Sequence, residues 1–89
     1  MKRCVLDGSR LVDAAAVYRA LREAFHLPEQ VGSHPDALWD ALGDYSGEPI
    51  VVIWRNAALS AERLGAQFAA ILGALQGAAA QGRLSLELA

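Results

Sequence analysis

The sequence has little of what usually carries chemistry. Cys4 is its single cysteine, so no intrachain disulfide can form, and the residue reads as a small buried hydrophobe in a strand. There are two histidines, His26 and His34, and neither has a ligand partner at a standard metal spacing. The glycines are scattered, and none makes a glycine-rich loop between a strand and a helix, which excludes a phosphate cradle. No stretch approaches the ~20 apolar residues of a membrane span. The opening MKRCVLDGSR has two basic residues next to its start but no apolar run behind them, so it does not read as a signal peptide and a cytoplasmic location is expected. Lysine occurs once while alanine and arginine are frequent, a usage that hints at a GC-rich bacterial genome.

Positive charge is missing from the middle of the chain. From Glu29 to Glu48 there are five acids (Glu29, Asp36, Asp40, Asp44, Glu48) and no lysine or arginine. The flanking parts are both net basic, so the formal charge of −2 is a −5 segment on a scaffold that sums to +3. A segregated field of this kind steers a cationic partner and says nothing about fold. It also counts against nucleic acid, for which the basic residues are too few and too spread. At 89 residues, 54% hydrophobic and 20% charged, residues 1–89 form one small globular domain with a single core.

Taken in order, residues 3–6 read as a short strand closed by the turn Asp7-Gly8-Ser9. Leu11, Ala14, Ala15, Tyr18, Leu21 and Phe25 then recur at helical spacing, which predicts a helix over about 12–25 with Arg19, Arg22 and Glu23 on its wet side. Pro28 stops it. Gln30 to Ser33 is a loop in which Gly32 is free to take positive φ. Ser33-His34-Pro35-Asp36 has the shape of a capping box, so Ser33 is the expected cap of a helix over about 34–42 that ends at Gly43. Leu38, Trp39 and Leu42 can face the core. Ile50–Trp54, unbroken by a polar residue, reads as a strand buried on both faces. Residues 56–63 suggest a helical turn or two with Ser60 as a cap, and Gly65 separates them from a last helix reaching about residue 80. Gly82 lies just past its end, and residues 84–88 alternate as a strand with one wet face. This order implies α/β topology with a parallel three-stranded sheet and right-handed crossovers.

Asp36 and Asp40 share a face of the second helix, and like charges at that spacing are unfavourable by a few tenths of a kcal/mol. Asp40 and Asp44 also lie toward the negative end of the helix dipole. An acid–base pair made from Asp36 and Asp40 would stand on one short exposed helix with no second wall to exclude water, so an enzyme is not expected. What remains is a protein surface: a dense set of carboxylates that a phosphate-binding groove would accept in place of a polyanion. Trp39 and Tyr45 flank the acids, either as core or as the aromatic border of a binding face.

At Leu27-Pro28-Glu29, Gly32 and Asp36-Ala37-Leu38-Trp39-Asp40, and in the flow into Ile50–Arg55 and the closing Gly82 plus strand, the chain resembles the barstar family, intracellular inhibitors of the secreted ribonuclease barnase. The resemblance covers essentially the whole chain and implies a barstar-like α/β fold, a three-stranded parallel sheet with helices packed on it. It also implies a binding face made of the second helix and the loop before it. In that family a helix aspartate enters the ribonuclease active site where a substrate phosphate would sit. Asp40 matches it, Asp36 matches a second aspartate that meets basic residues of the same site, and Trp39 and Gly43 match contact-region positions. The sequence departs from the family elsewhere. A stacking tyrosine is Gln30, followed by Val31; an asparagine and a leucine are His34 and Pro35; a tryptophan after the helix is Tyr45; and an interface glutamate on the last helix is Gly77.

The expectation is therefore a monomeric, cofactor-free inhibitor of a barnase-like ribonuclease. It would act through Gln30, Val31, Gly32, His34, Pro35, Asp36, Trp39, Asp40, Gly43, Asp44 and Tyr45, with no metal, membrane or nucleic acid involved. The alternative is a barstar-fold interaction or immunity module for a different basic protein or toxin. A small hydrolase or metal protein using Asp36, Asp40 and His34 is a weaker third reading.

Overall fold

The apolar run after Pro49 is the middle of a parallel sheet. In a computed structural model, which describes residues 2–89, β1 (Lys2–Asp7), β2 (Ile50–Arg55) and β3 (Ser85–Leu88) lie in the order β1-β2-β3. Both pairings are parallel, with Cys4 opposite Val52 and Val52 opposite Leu86. Between β1 and β2 run α1 (Ala14–Phe25), a short 3-10 turn (Glu29–Val31) and α2 (Pro35–Asp44). Between β2 and β3 run α3 (Ala57–Leu64) and α4 (Ala66–Ala80). The fold is the expected α/β arrangement, a three-stranded parallel sheet with four helices.

The strand order puts β2 in the middle, as its apolar run predicts. Two crossovers of the same hand that step in the same direction put their helices on the same face of the sheet. Cys4, Leu6, Ile50, Val52 and Trp54 accordingly join one core with Val17, Leu21 and Phe25 of α1, Leu38 and Leu42 of α2, and Ile71 and Leu75 of α4. The other sheet face carries Arg3, Val5, Ser85 and Glu87, all exposed. β2 is nonetheless largely buried on both faces, with Val52 and Trp54 fully buried on one and Ile53 buried on the other. Ile53, opposite Val5 and Glu87, is 6% exposed and lies outside the main core. In β3 the alternation is incomplete, because Leu88 is half exposed.

Local chemistry sets the element ends. Asp13 caps α1 by accepting from the Ala16 N–H at 2.9 Å. At the other end His26 takes the left-handed conformation, and the N–H groups of His26 and Leu27 both reach the Arg22 carbonyl. The helix is over before Pro28. Ser60 is not a cap. It is fully buried inside α3 and accepts the indole N–H of Trp54 at 2.9 Å, which satisfies both polar groups beneath the sheet end. Phe68 packs edge-on against the same indole, with centroids 4.9 Å apart.

Candidate protein-binding face

The segment without positive charge folds into a turn, a helix and a second turn. Pro28 leads into the Glu29–Val31 turn, and Gly32 follows at φ 54°, ψ −127°, a backbone state that side chains strain to adopt. The Gly32 carbonyl is held from α1, where Arg22 Nη1 donates to it at 2.8 Å. The sequence reading left Arg22 on the wet side. No motif announces a side chain that reaches a backbone carbonyl ten residues away.

The cap of α2 is one residue later than the pattern suggested. His34 is the N-cap residue, and it makes no side-chain capping bond. Pro35 occupies the first turn, where its missing N–H is harmless, and Asp36 supplies the acid that the helix N-terminus favours. The helix does not stop at Gly43 but runs to Asp44. Tyr45 ends it by turning extended: its ring meets Phe25 edge-on at 5.1 Å, and its hydroxyl donates to the Glu48 carbonyl.

At about 100° per residue, successive steps of four advance about 40° round α2. Asp36, Asp40 and Asp44 therefore form a slanted stripe, and all three are exposed. Leu38 and Leu42 lie on the opposite side and are fully buried. Each buried leucine contributes ~1.5–3 kcal/mol, while like-charge and dipole penalties are ~0.2–1 kcal/mol each. The core contacts win, so the stripe can be carried on a helix that its own charges disfavour. No hydrogen bond or ion pair engages the three carboxylates among the described residues.

The stripe is bordered differently on its two sides. On one side Asp40 and Asp44 stand at a groove of about 770 Å³ between α2 and the end of α1. Phe25, Leu27, Val31, Ala37 and Ala41 form its apolar part, and Gln30 and Tyr45 lie along its wall. Lys2 also lines it, but its ammonium donates to the Ala24 carbonyl at 2.8 Å at the end of α1. On the other side Trp39 leans onto α4 at Gly77 and remains 38% exposed.

The remaining candidates divide by burial. Gln30 and His34 are exposed, Gly32, Pro35 and Gly43 are half-buried, and Val31 is a core residue below the turn. A Cβ added at Gly43 would meet no neighbour within 4 Å. Gln30, Asp40, Asp44 and Tyr45 gather at the groove; Trp39 stands apart on the α4 side. Among the described residues no helix is long and apolar enough to cross a membrane.

The site is thus an exposed acidic helix beside an amphipathic groove, on a two-layer parallel α/β scaffold. The family described as Barstar (barnase inhibitor) matches residues 1–87, and the chain belongs to it. Its similarity extends to a Bacillus subtilis (strain 168) protein named "Putative ribonuclease inhibitor YrdF", 26% identical over 76 residues that cover 85% of this chain and 84% of that protein. The family is one of inhibitors, not enzymes.

Proposed function

We propose that this chain inhibits a secreted barnase-like ribonuclease by laying α2 and the loop before it into the enzyme's cationic active site. Asp40 and Asp36 take the places of RNA phosphates, and Asp44 extends the field. Gln30, Gly32, His34, Pro35 and Tyr45 shape which enzyme fits. The protein does no chemistry; it occupies the substrate's place, acts in the cytoplasm and is monomeric when free. The observation that carries this reading is the exposed stripe of Asp36, Asp40 and Asp44, unengaged among the described residues.

The test is titration against a panel of guanyl-preferring ribonucleases, with Asp40→Ala and Asp36→Ala beside the parent. Stoichiometric inhibition is expected. Removing one partner of a desolvated charge pair costs about 3–5 kcal/mol, so Asp40→Ala should weaken inhibition at least about a hundred-fold. The association rate should also fall steeply with salt; a flat dependence counts against phosphate mimicry. Gln30 in place of a stacking tyrosine favours a second reading, in which the partner is a different basic protein or toxin. A folded parent that inhibits no ribonuclease in the panel moves the weight there.

A further inference from the structure

The α4 side of the acidic stripe holds a relationship that phosphate mimicry does not use. A Cβ built on Gly77 would stand 2.5 Å from Cζ3 and 3.1 Å from Cη2 of Trp39. Carbon atoms do not pack that closely, so the indole occupies the space that a side chain at 77 would need. Glycine inside a helix is unfavourable relative to alanine, and the seat it gives Trp39 is a compensation. The surrounding surface is neutral, for Ala66–Ala80 contains no acidic or basic residue. Round α2 the exposed arc runs from Trp39 through Gly43 and Asp36 to Asp40 and Asp44. The indole edge thus borders the stripe directly.

We propose that Gly77 is a positioning residue of the binding face: it lets the Trp39 indole lie across α4, making this border of the acidic stripe a flat aromatic surface that fits an uncharged, apolar patch on the partner. The proposal rests on the inhibitor reading and names a second chemistry for the same interface. Carboxylates recognise the cationic centre, and an aromatic plate recognises its neutral margin. Where the family resemblance places a glutamate, this chain offers no charge, so its partner needs no cation at that point.

The test is a double-mutant cycle on Gly77→Ala, Trp39→Ala and the double variant. Inhibition is measured against whichever ribonuclease the parent inhibits, with acrylamide quenching of each free protein read in parallel. Trp54 is fully buried, so quenching reports chiefly on Trp39. Gly77→Ala should lift the indole off α4, at least double the quenching constant, and weaken inhibition about ten-fold, the scale of one well-seated aromatic contact. In the Trp39→Ala background the same change should leave inhibition nearly unaltered. Gly77→Ala that changes neither quenching nor inhibition overturns the proposal, as does an equal loss in both backgrounds. Thermal melts identify a Gly77→Ala that fails to fold: recovery of folding in the Trp39→Ala background then supports the seat, and failure in both backgrounds overturns it. If the parent inhibits nothing in the panel, the inhibitor reading falls by itself. The quenching comparison then decides the seat: unchanged quenching overturns it and raised quenching supports it.

Discussion

Arg22 of α1 holds the Gly32 carbonyl at 2.8 Å, and through it the loop that precedes the acidic helix. Hydrogen bonds from charged donors are worth ~1.5–3 kcal/mol, and this one is half-buried. Arg22→Ala should therefore lower stability by about 1–2 kcal/mol and loosen residues 30–33 in particular. Hydrogen exchange would show it as lost protection of the Gly32 and His34 amides, whose partners are Glu29 and Val31. Arg22→Lys, which keeps the charge but loses the planar fork, should recover only part of the loss.

The acidic stripe should make the free protein less stable than it need be. Asp44 lies at the C-terminal end of α2, where a carboxylate opposes the dipole. Asp44→Asn is expected to stabilise the free chain by ~0.3–1 kcal/mol, and Asp40→Asn by a few tenths. Both should weaken partner binding. Denaturant midpoints at low and high salt would check the point: the gain should shrink as salt screens the repulsion. A loss of stability in either variant would mean that these carboxylates support the fold.

Asp7 gives the chain one readable acid transition. Its Oδ1 accepts from the Ser9 hydroxyl, the Asn56 amide and the Ser9 N–H. These bonds favour the carboxylate, the Ser9 hydroxyl most, and hold Asp7 from its usual 3.8 down to about 2. Because the folded value lies below the unfolded one, the contribution is fully present above about 3.8 and is lost as pH falls through about 2. Asp7→Asn should flatten the stability–pH slope in that window. Urea midpoints measured from pH 5 to pH 2 supply the comparison.

Ser60→Ala would leave the indole N–H of the fully buried Trp54 without its acceptor. An unsatisfied buried donor costs ~1–3 kcal/mol. The loss should appear in the denaturant midpoint and in the emission of Trp54. Inhibition by the folded fraction should be unchanged, since neither residue lines the groove or the acidic stripe.

The legibility of the sequence differed by element, for physical reasons. The three strands and the helices either side of Gly65 follow from periodicity, because burial dictates side-chain type. The acidic stripe was equally plain, since charge is written directly in residue identity. The both-faces burial of β2 was legible too, because an unbroken apolar run marks a central strand: Ile53 on the face away from α2 is only 6% exposed. Ser33 lost the cap of α2 to His34 because Pro35 settles the first turn where it stands. Ser60 looked like a cap, yet its partner is an indole on a strand six residues back, a contact that only the fold creates. The seat of Trp39 on Gly77 was invisible for the same reason. Its two halves lie 38 positions apart on different helices.

The side of the sheet away from α2 gives the molecule a handle. Glu87 is exposed there, across the sheet from the layer that contains α2. Cys4 is buried, and burial pushes its thiol pKa up, so it should stay silent toward thiol reagents. A single engineered sulfur, Glu87→Cys, should then take one maleimide per chain and tether the protein to a sensor surface with its acidic helix facing outward. Under the inhibitor proposal, the immobilised chain would serve as a capture reagent for its ribonuclease.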